Sequence, residues 1–401
     1  MGYNPSRSGF IAGVRSSSTP ESHYVPVYPS NIKRDAALRA LAPELPCYVK
    51  FPKVVYNKAL SFKRHFAGTT MYAVKCNTDP LFLRQIYRAG IRDFDVASIK
   101  EIALIHDLFP DAKMHFMHTI KPIEAIRRAY FDYGIRDFSL DYMEELEKIL
   151  EATDHANDLS LFVRFAPPKN GSASIDFSSK FGCSAEEAVT LLQSARPVSQ
   201  KLGLAFHVGT QTTDMSAYTR ALNLTQQIIA EAGISVDALD IGGGFAVDYP
   251  DSTAPQMENS LLNLNKLIRD MGLEHLELYA EPGRVMVAEG AFLVVRVEQR
   301  KDNLLYINDG TYGGLFDAGK ALGQQFAVRH IPAQPAITQQ HDTAFKLAGP
   351  TCDSLDMMDG PFLLPNTIKT GDWIEIRNLG AYSQVLRTPF NGFDEHQTLE
   401  M

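Results

Sequence analysis

Between residues 70 and 284, short apolar runs alternate with segments whose apolar residues recur at helical spacing. The runs are Met71-Tyr72-Ala73-Val74, Phe94-Asp95-Val96-Ala97, Met114-His115-Phe116-Met117, Asp137-Phe138-Ser139-Leu140 and Leu161-Phe162-Val163-Arg164-Phe165. Leu204-Ala205-Phe206-His207-Val208, Leu239-Asp240-Ile241 and Leu276-Glu277-Leu278-Tyr279-Ala280 bring them to eight. After the first run, Leu81, Ile86 and Ala89 can share a helix face. After the second, Ser98 and Glu101 have capping-box spacing ahead of Ile102-Ala103-Leu104-Ile105. Glu145, Leu146 and Ile149 continue the pattern after the fourth. Regular strand–helix alternation predicts parallel strands. Eight repeats predict an α/β chain built on a (β/α)8 TIM-type barrel, although a doubly wound sheet alternates in the same way.

The period changes after residue 285. Phe292-Leu293-Val294-Val295-Arg296-Val297, Leu304-Leu305-Tyr306-Ile307, Phe345-Lys346-Leu347-Ala348 and Trp373-Ile374-Glu375-Ile376 read as strands. They are separated by turn signals such as Asn308-Asp309-Gly310 and Thr370-Gly371-Asp372. The expected organisation is a flexible arm over 1–30, rich in Ser and Pro, and a segment 31–50 that contributes to a β domain. The barrel follows over 51–284 and the all-β C-terminal domain over 285–401.

Composition narrows the partners. The 401 residues are 45% hydrophobic, enough for a sizeable core, and the net charge of −8 argues against a general affinity for nucleic acid or anionic membrane. No apolar run is long enough to span a bilayer, and the N-terminus lacks the apolar core of a secretory signal. The cysteines, Cys47, Cys76, Cys183 and Cys352, form no Cys-x-x-Cys pair, so no metal site and a cytoplasmic setting with reduced thiols are expected.

Several segments carry candidate chemistry, each with a plainer reading. Lys75 follows the first barrel run, on the edge where barrel active sites lie. Partial desolvation there would disfavour its charged form and favour nucleophilic use. The plainer reading is a lysine that packs its stem and keeps its head in water. Gly242-Gly243-Gly244 after the seventh run and Glu281-Pro282-Gly283-Arg284 after the eighth suit a phosphate, with backbone N–H groups and a guanidinium fork as donors. Each alone reads as a tight turn. His207-Val208-Gly209-Thr210-Gln211 offers a ring to lie against a flat cofactor and a hydroxyl for phosphate, or a structural histidine. Cys352-Asp353 in the β domain offers an acid and an ammonium receptor, or a small hydrophobe beside a turn aspartate. Tyr382 offers a phosphate donor, or an aromatic at a strand end.

As an ordered set these segments resemble the fold-type III pyridoxal-phosphate decarboxylases, the group that acts on ornithine, lysine, arginine and diaminopimelate. The resemblance runs from about Cys47 to Phe393. It rests on Tyr72-Ala73-Val74-Lys75-Cys76-Asn77, His207-Val208-Gly209, Gly242-Gly243-Gly244, Glu281-Pro282-Gly283-Arg284, Gly349-Pro350-Thr351-Cys352-Asp353 and Gly380-Ala381-Tyr382. It implies pyridoxal 5′-phosphate held covalently by Lys75, Glu281 on the pyridine nitrogen, and His207 stacked on the ring. It implies Asp95 and Arg164 beside Lys75, and Thr210, Gly243, Gly244, Gly283, Arg284 and Tyr382 around the phosphate. It further implies a homodimer whose second subunit supplies Cys352 as proton donor after decarboxylation and Asp353 for the distal amine, with Tyr312 and Phe390 also facing substrate.

Cys352-Asp353-Ser354 and Phe390-Asn391-Gly392-Phe393 resemble the ornithine/lysine branch, which implies decarboxylation of a basic L-amino acid to its diamine. One departure matters. Ornithine decarboxylases carry a Tyr-Asp pair shortly after Asn-Asp-Gly, and here Asn308-Asp309-Gly310 leads into a stretch without it, with Asp317 as an offset substitute. A modified or larger amino acid is therefore an alternative substrate. A pyridoxal-phosphate racemase and a non-catalytic regulatory homologue are further alternatives, against which Cys352-Asp353 and the retained Lys75 argue.

Overall fold

The computed structural model describes residues 23–167, 180–334 and 341–401. Most of the expected N-terminal arm, residues 1–22, lies outside them. The described chain enters through a helix, Asn31–Leu41, capped by the Ser30 hydroxyl, and a short buried strand, β1 (Cys47–Lys50). Eight parallel strands then close on themselves in chain order. They are β2 (Thr69–Ala73), β3 (Asp93–Val96), β4 (Lys113–Phe116), β5 (Asp137–Leu140), β6 (Ser160–Arg164), β7 (Lys201–Ala205), β8 (Ala238–Asp240) and β9 (Glu277–Ala280), and β9 returns to pair with β2. The expected TIM-type barrel is present.

Most barrel strands end one to three residues earlier than the hydrophobic runs suggest. β7 stops at Ala205, yet Phe206 and Val208 remain buried. At this edge the loops turn inward over the barrel mouth, so apolar residues continue past the last ladder bond. Val74 and Lys75 accordingly lie on a single 3-10 turn, Val74–Cys76, beyond β2. The helix Pro80–Arg88 buries Phe82, Leu83 and Ile86 and leaves Leu81 half-buried. Ser98 accepts the Glu101 N–H at 3.3 Å, but the Glu101 carboxylate reaches back to the Ala97 N–H, one residue beyond the Ser98 N–H that a reciprocal capping box would use.

The second unit is a mixed sheet of β10 (Ala291–Lys301), β11 (Leu304–Ile307), β12 (Val328–Ile331), β13 (Asp342–Ala348), β14 (Met357–Pro365) and β15 (Trp373–Ile376), ordered β12-β15-β10-β11-β13-β14. β1 pairs antiparallel with β10, and the C-terminal β16 (Gln397–Glu400) pairs parallel with β1. β12, β14 and β16 have weak sequence signals: β14 contains Gly360-Pro361 and β16 is the half-polar Gln-Thr-Leu-Glu. Arg34 of the first helix forks onto Glu375 of β15 with two contacts of 2.9 Å, which ties the entering chain to this sheet. Among the described residues no helix is long and apolar enough to cross a membrane.

The floor of the barrel holds a buried charge cluster. His115 of β4 is fully buried; its Nε2 lies 3.0 Å from Asp93 of β3, and its Nδ1 lies 3.2 Å from Asp137 of β5 as a poorly aligned ion pair. Burial pushes its proton affinity down, but the two carboxylates outweigh that and raise it above the ordinary value. Such a group stabilises the fold fully below its unfolded pKa of about 6.5, and the gain is lost as the pH rises through the higher folded value. His115→Leu leaves Asp137 buried with only the half-exposed Lys113 beside it and is expected to cost about 3–5 kcal/mol at low pH. Urea unfolding should show that deficit shrinking as the pH rises above about 6.5; a constant deficit would mean that His115 is not charged in the fold.

Candidate active site

The side chains at the C-terminal ends of the barrel strands enclose a cavity of about 400 Å³. Lys75, on the turn after β2, points its amine into it and donates to Asp95 Oδ2 at 2.7 Å. Asp95 comes from β3 and is buried. Burial alone would discharge Lys75, as its position in the sequence suggests. The Asp95 and Glu281 carboxylates reverse that, and the ammonium is held above its ordinary range. The amine is therefore kept charged and aimed, and Asp95 is the base within reach of its proton.

One end of the cavity is built for an anion. Gly244 (φ +102°) follows β8, and a Cβ there would lie 2.4 Å from the Gly209 carbonyl oxygen; one at Gly243 would lie 2.6 Å from the Glu281 carbonyl oxygen. The Tyr218 hydroxyl pins this turn by donating to the Gly243 carbonyl at 2.8 Å. Thr210, Gly244, Gly283, Arg284 and Tyr382 line the same end. The Arg284 guanidinium is buried against the Tyr382 ring at 4.9 Å and donates to Tyr249 Oη at 3.1 Å and Asp317 Oδ2 at 3.0 Å. Its Nε is buried without an acceptor.

Glu281, His207 and Arg164 line the same cavity as Lys75. His207 Nδ1 accepts the Gly209 N–H at 3.1 Å, and burial, with Arg164 and Lys75 nearby, pushes its proton affinity well down, so the ring is neutral. Glu281 is driven well above the carboxylate range, first by burial and then by the Asp240 and Asp95 carboxylates. Asp240 is raised as well, to about 6, mainly by burial.

The structure therefore brings Lys75, Asp95, Arg164, His207, Thr210, Gly244, Glu281, Gly283, Arg284 and Tyr382 around one cavity, with Gly243 in the adjoining turn. It places Cys352, Asp353, Tyr312 and Phe390 elsewhere. They cluster outside the cavity lining: the Tyr312 hydroxyl donates to Asp353, the Tyr312 and Phe390 rings stand 4.9 Å apart, and Cys352 is exposed. Asp317, the offset substitute in the sequence, pairs with Arg284 at the anion end. Sequence reasoning missed Met117, His118, Phe181, Phe316, Leu322 and Leu386, which also line the cavity. Of these, Met117 and His118 had a signal, since they follow a barrel strand on the functional edge.

Residues 53–288 match the family model described as "Pyridoxal-dependent decarboxylase, pyridoxal binding domain". The chain is 32% identical over 341 residues to the lysine/ornithine decarboxylase of Selenomonas ruminantium, covering 82% of this chain and 83% of that protein. It is similar to the Paramecium bursaria Chlorella virus arginine decarboxylase bound to agmatine, with TM-score 0.81 and 28% identity, covering 93% of this chain and 100% of that one. It is also similar to the Vibrio vulnificus lysine/ornithine decarboxylase complexed with cadaverine, with TM-score 0.78 and 28% identity, covering 92% and 98%.

Proposed function

Because the chain belongs to the pyridoxal-dependent decarboxylases, we propose that it removes the α-carboxylate from ornithine or lysine and releases the diamine. The observation that carries the reading is the single cavity in which a lysine amine, a buried acid and an anion cradle are set around a space of about 400 Å³. Pyridoxal phosphate fits these residues. The phosphate has Thr210, the Gly244 turn, Tyr382 and the unpartnered Arg284 Nε as donors, and the aldehyde has Lys75.

When bound, the cofactor supplies a ring that accepts the electron pair left as the Cα–carboxylate bond breaks. The protein does the rest. Lys75, aimed by its hydrogen bond to Asp95, would hold the cofactor through its amine, and Asp95 would receive the proton the amine sheds as it does so. Glu281 holds a proton at the ring nitrogen. His207, neutral and fixed by the Gly209 N–H, presents a flat face to the ring. Residues 51–284 form the cofactor-binding barrel in this reading, and residues 285–401 form the domain that contributes substrate contacts.

Those contacts need a second copy of the chain. Cys352, Asp353, Tyr312 and Phe390 lie together outside the cavity lining, and in a homodimer they would close the partner's mouth. There Cys352 delivers a proton to Cα, and Asp353 receives the distal ammonium. If sites are shared in this way, an equal mixture of Lys75→Ala and Cys352→Ala protomers, each inactive alone, regains about a quarter of wild-type turnover, because half of the dimers carry one intact site. No regain would show that each site is complete within one chain.

Asp356 fixes this cluster. It is buried; Oδ1 accepts the Thr311 N–H at 2.7 Å and hydroxyl at 3.0 Å, and Oδ2 accepts the Thr351 N–H at 3.1 Å and hydroxyl at 2.8 Å. Asp356→Asn is expected to lower kcat on the order of tenfold through misplacement of Cys352, with cofactor absorbance unchanged. A loss of cofactor instead would place its effect in the barrel.

Carbon dioxide release from ornithine, lysine, arginine and their acylated derivatives tests the substrate. The commitment of Asp317 to Arg284 favours a second reading, a modified or larger amino acid, in which case the derivatives will outperform ornithine and lysine. Activity on none of them overturns the proposal. We place the enzyme in the cytoplasm, a setting supported by its four unpaired cysteines.

A further inference from the structure

Asp240 ends β8, and Glu281 follows the last residue of β9. The two strands are locked in register: the Ile241 N–H donates to the Tyr279 carbonyl at 3.0 Å and the Glu281 N–H to the Gly242 carbonyl at 2.8 Å. The register sets Asp240 opposite Tyr279 and Glu281 beside Gly242, so the two acids are diagonal neighbours across the ends of adjacent strands. Asp240 is buried, and its Oδ1 accepts the Gly242 N–H at 2.8 Å. Among the described residues no conventional donor reaches its Oδ2, and the neighbouring acid close enough to act on it is Glu281. Two carboxyls in contact form a hydrogen bond only when one of them carries a proton.

We propose that Asp240 is a positioning residue for Glu281: its carboxylate keeps a proton on the Glu281 carboxyl and orients it for transfer to the ring nitrogen of the bound cofactor. The proposal rests on the assignment of Glu281 to that nitrogen. In the transfer, the O–H bond of Glu281 breaks and an N–H bond forms on the ring, so a negative Glu281 faces a positive ring and no other reactant is needed. The charged groups around the pair agree. Asp95 of β3 raises both acids, Arg164 of β6 draws both down, and Lys75 draws Glu281 down. Burial and the acid pair outweigh the cations, so the pair keeps a proton, and Glu281 is the member that lines the cavity and can present it.

The plainer role for Asp240 is to tie the 240–242 turn through the Gly242 N–H. Asp240→Asn separates the two, because the amide oxygen still accepts that N–H while the charge is lost. The holoenzyme of this variant is expected to unfold near the wild-type temperature. Its affinity for pyridoxal phosphate is expected to fall about tenfold, and the pH at which the cofactor's visible band titrates to drop by about one unit. Adding Asp240→Asn to Glu281→Gln is expected to change neither quantity further, because both act through one proton. An Asn variant with wild-type affinity and titration overturns the proposal. A second measurement does not depend on that variant folding: the infrared difference spectrum on adding pyridoxal phosphate to wild-type protein should show loss of a protonated-carboxyl band that Glu281→Gln lacks. Absence of the band in wild type also overturns the proposal. Failure of the wild type to bind pyridoxal phosphate would instead remove the assignment of Glu281 on which it rests.

Discussion

Lys75→Ala protein, supplied with pyridoxal phosphate, is expected to release carbon dioxide from its substrate on the order of 10³-fold more slowly than wild type and to lack the visible band of a covalently held cofactor. The choice of lysine is a geometric argument that overrides a chemical one. Lys121, in the loop after β4, is the more easily discharged amine: burial brings it down to about 8, whereas Lys75 is held charged by Asp95 and Glu281. On proton affinity alone Lys121 would be the better nucleophile. Its amine, however, is spent on the carbonyl oxygens of His118 at 2.9 Å and Ser139 at 2.5 Å and on Glu145 at 2.9 Å, and it does not line the cavity. Lys121→Met is therefore the control: stability is expected to fall, since Glu145 loses its buried partner, but the visible band is expected to remain. Loss of the band in Lys121→Met with retention in Lys75→Ala would reverse the assignment.

The barrel was legible because its strands are buried on both faces and read as apolar runs whose spacing repeats eight times. Lys75, the Gly242-Gly243-Gly244 turn and Arg284 were legible because each follows such a run on one edge of the barrel. The limits have equally local causes. The strand ends slipped at β7 because Phe206 and Val208 stay buried after the ladder stops. Tyr249 and Asp317, which hold Arg284, reach it from loops about 35 and 33 residues away in sequence, at no fixed spacing that a motif could encode. The charge on Lys75 is not legible in the sequence, because an apolar run reveals desolvation, whereas Asp95 and Glu281 arrive from other strands. The wall formed by Phe181, Phe316 and Leu322 gave no signal, since an apolar loop residue looks the same whether it faces a ligand or a core.

Glu281→Ala is expected to lower turnover by roughly 10²–10³-fold, the scale lost when one preorganised electrostatic partner of the reacting system is removed. The effect should fall on kcat rather than KM, because in the proposed arrangement Glu281 faces the cofactor ring and not the variable part of the substrate. Near-normal turnover would remove Glu281 from the mechanism. A stability measurement should move the other way. Glu281 binds its proton more tightly folded than unfolded, so the folded state loses stability as the pH rises above the unfolded value of about 4.3. Removing Glu281 relieves that cost, and the Glu281→Ala apoprotein should unfold at a higher temperature than wild type at neutral pH, with the gap closing as the pH falls towards about 4. A purely structural acid would give the opposite sign. In the proposed mechanism the displacement that burdens the fold also supplies the proton for the ring nitrogen, so one ionisation would couple the stability and turnover of Glu281→Ala.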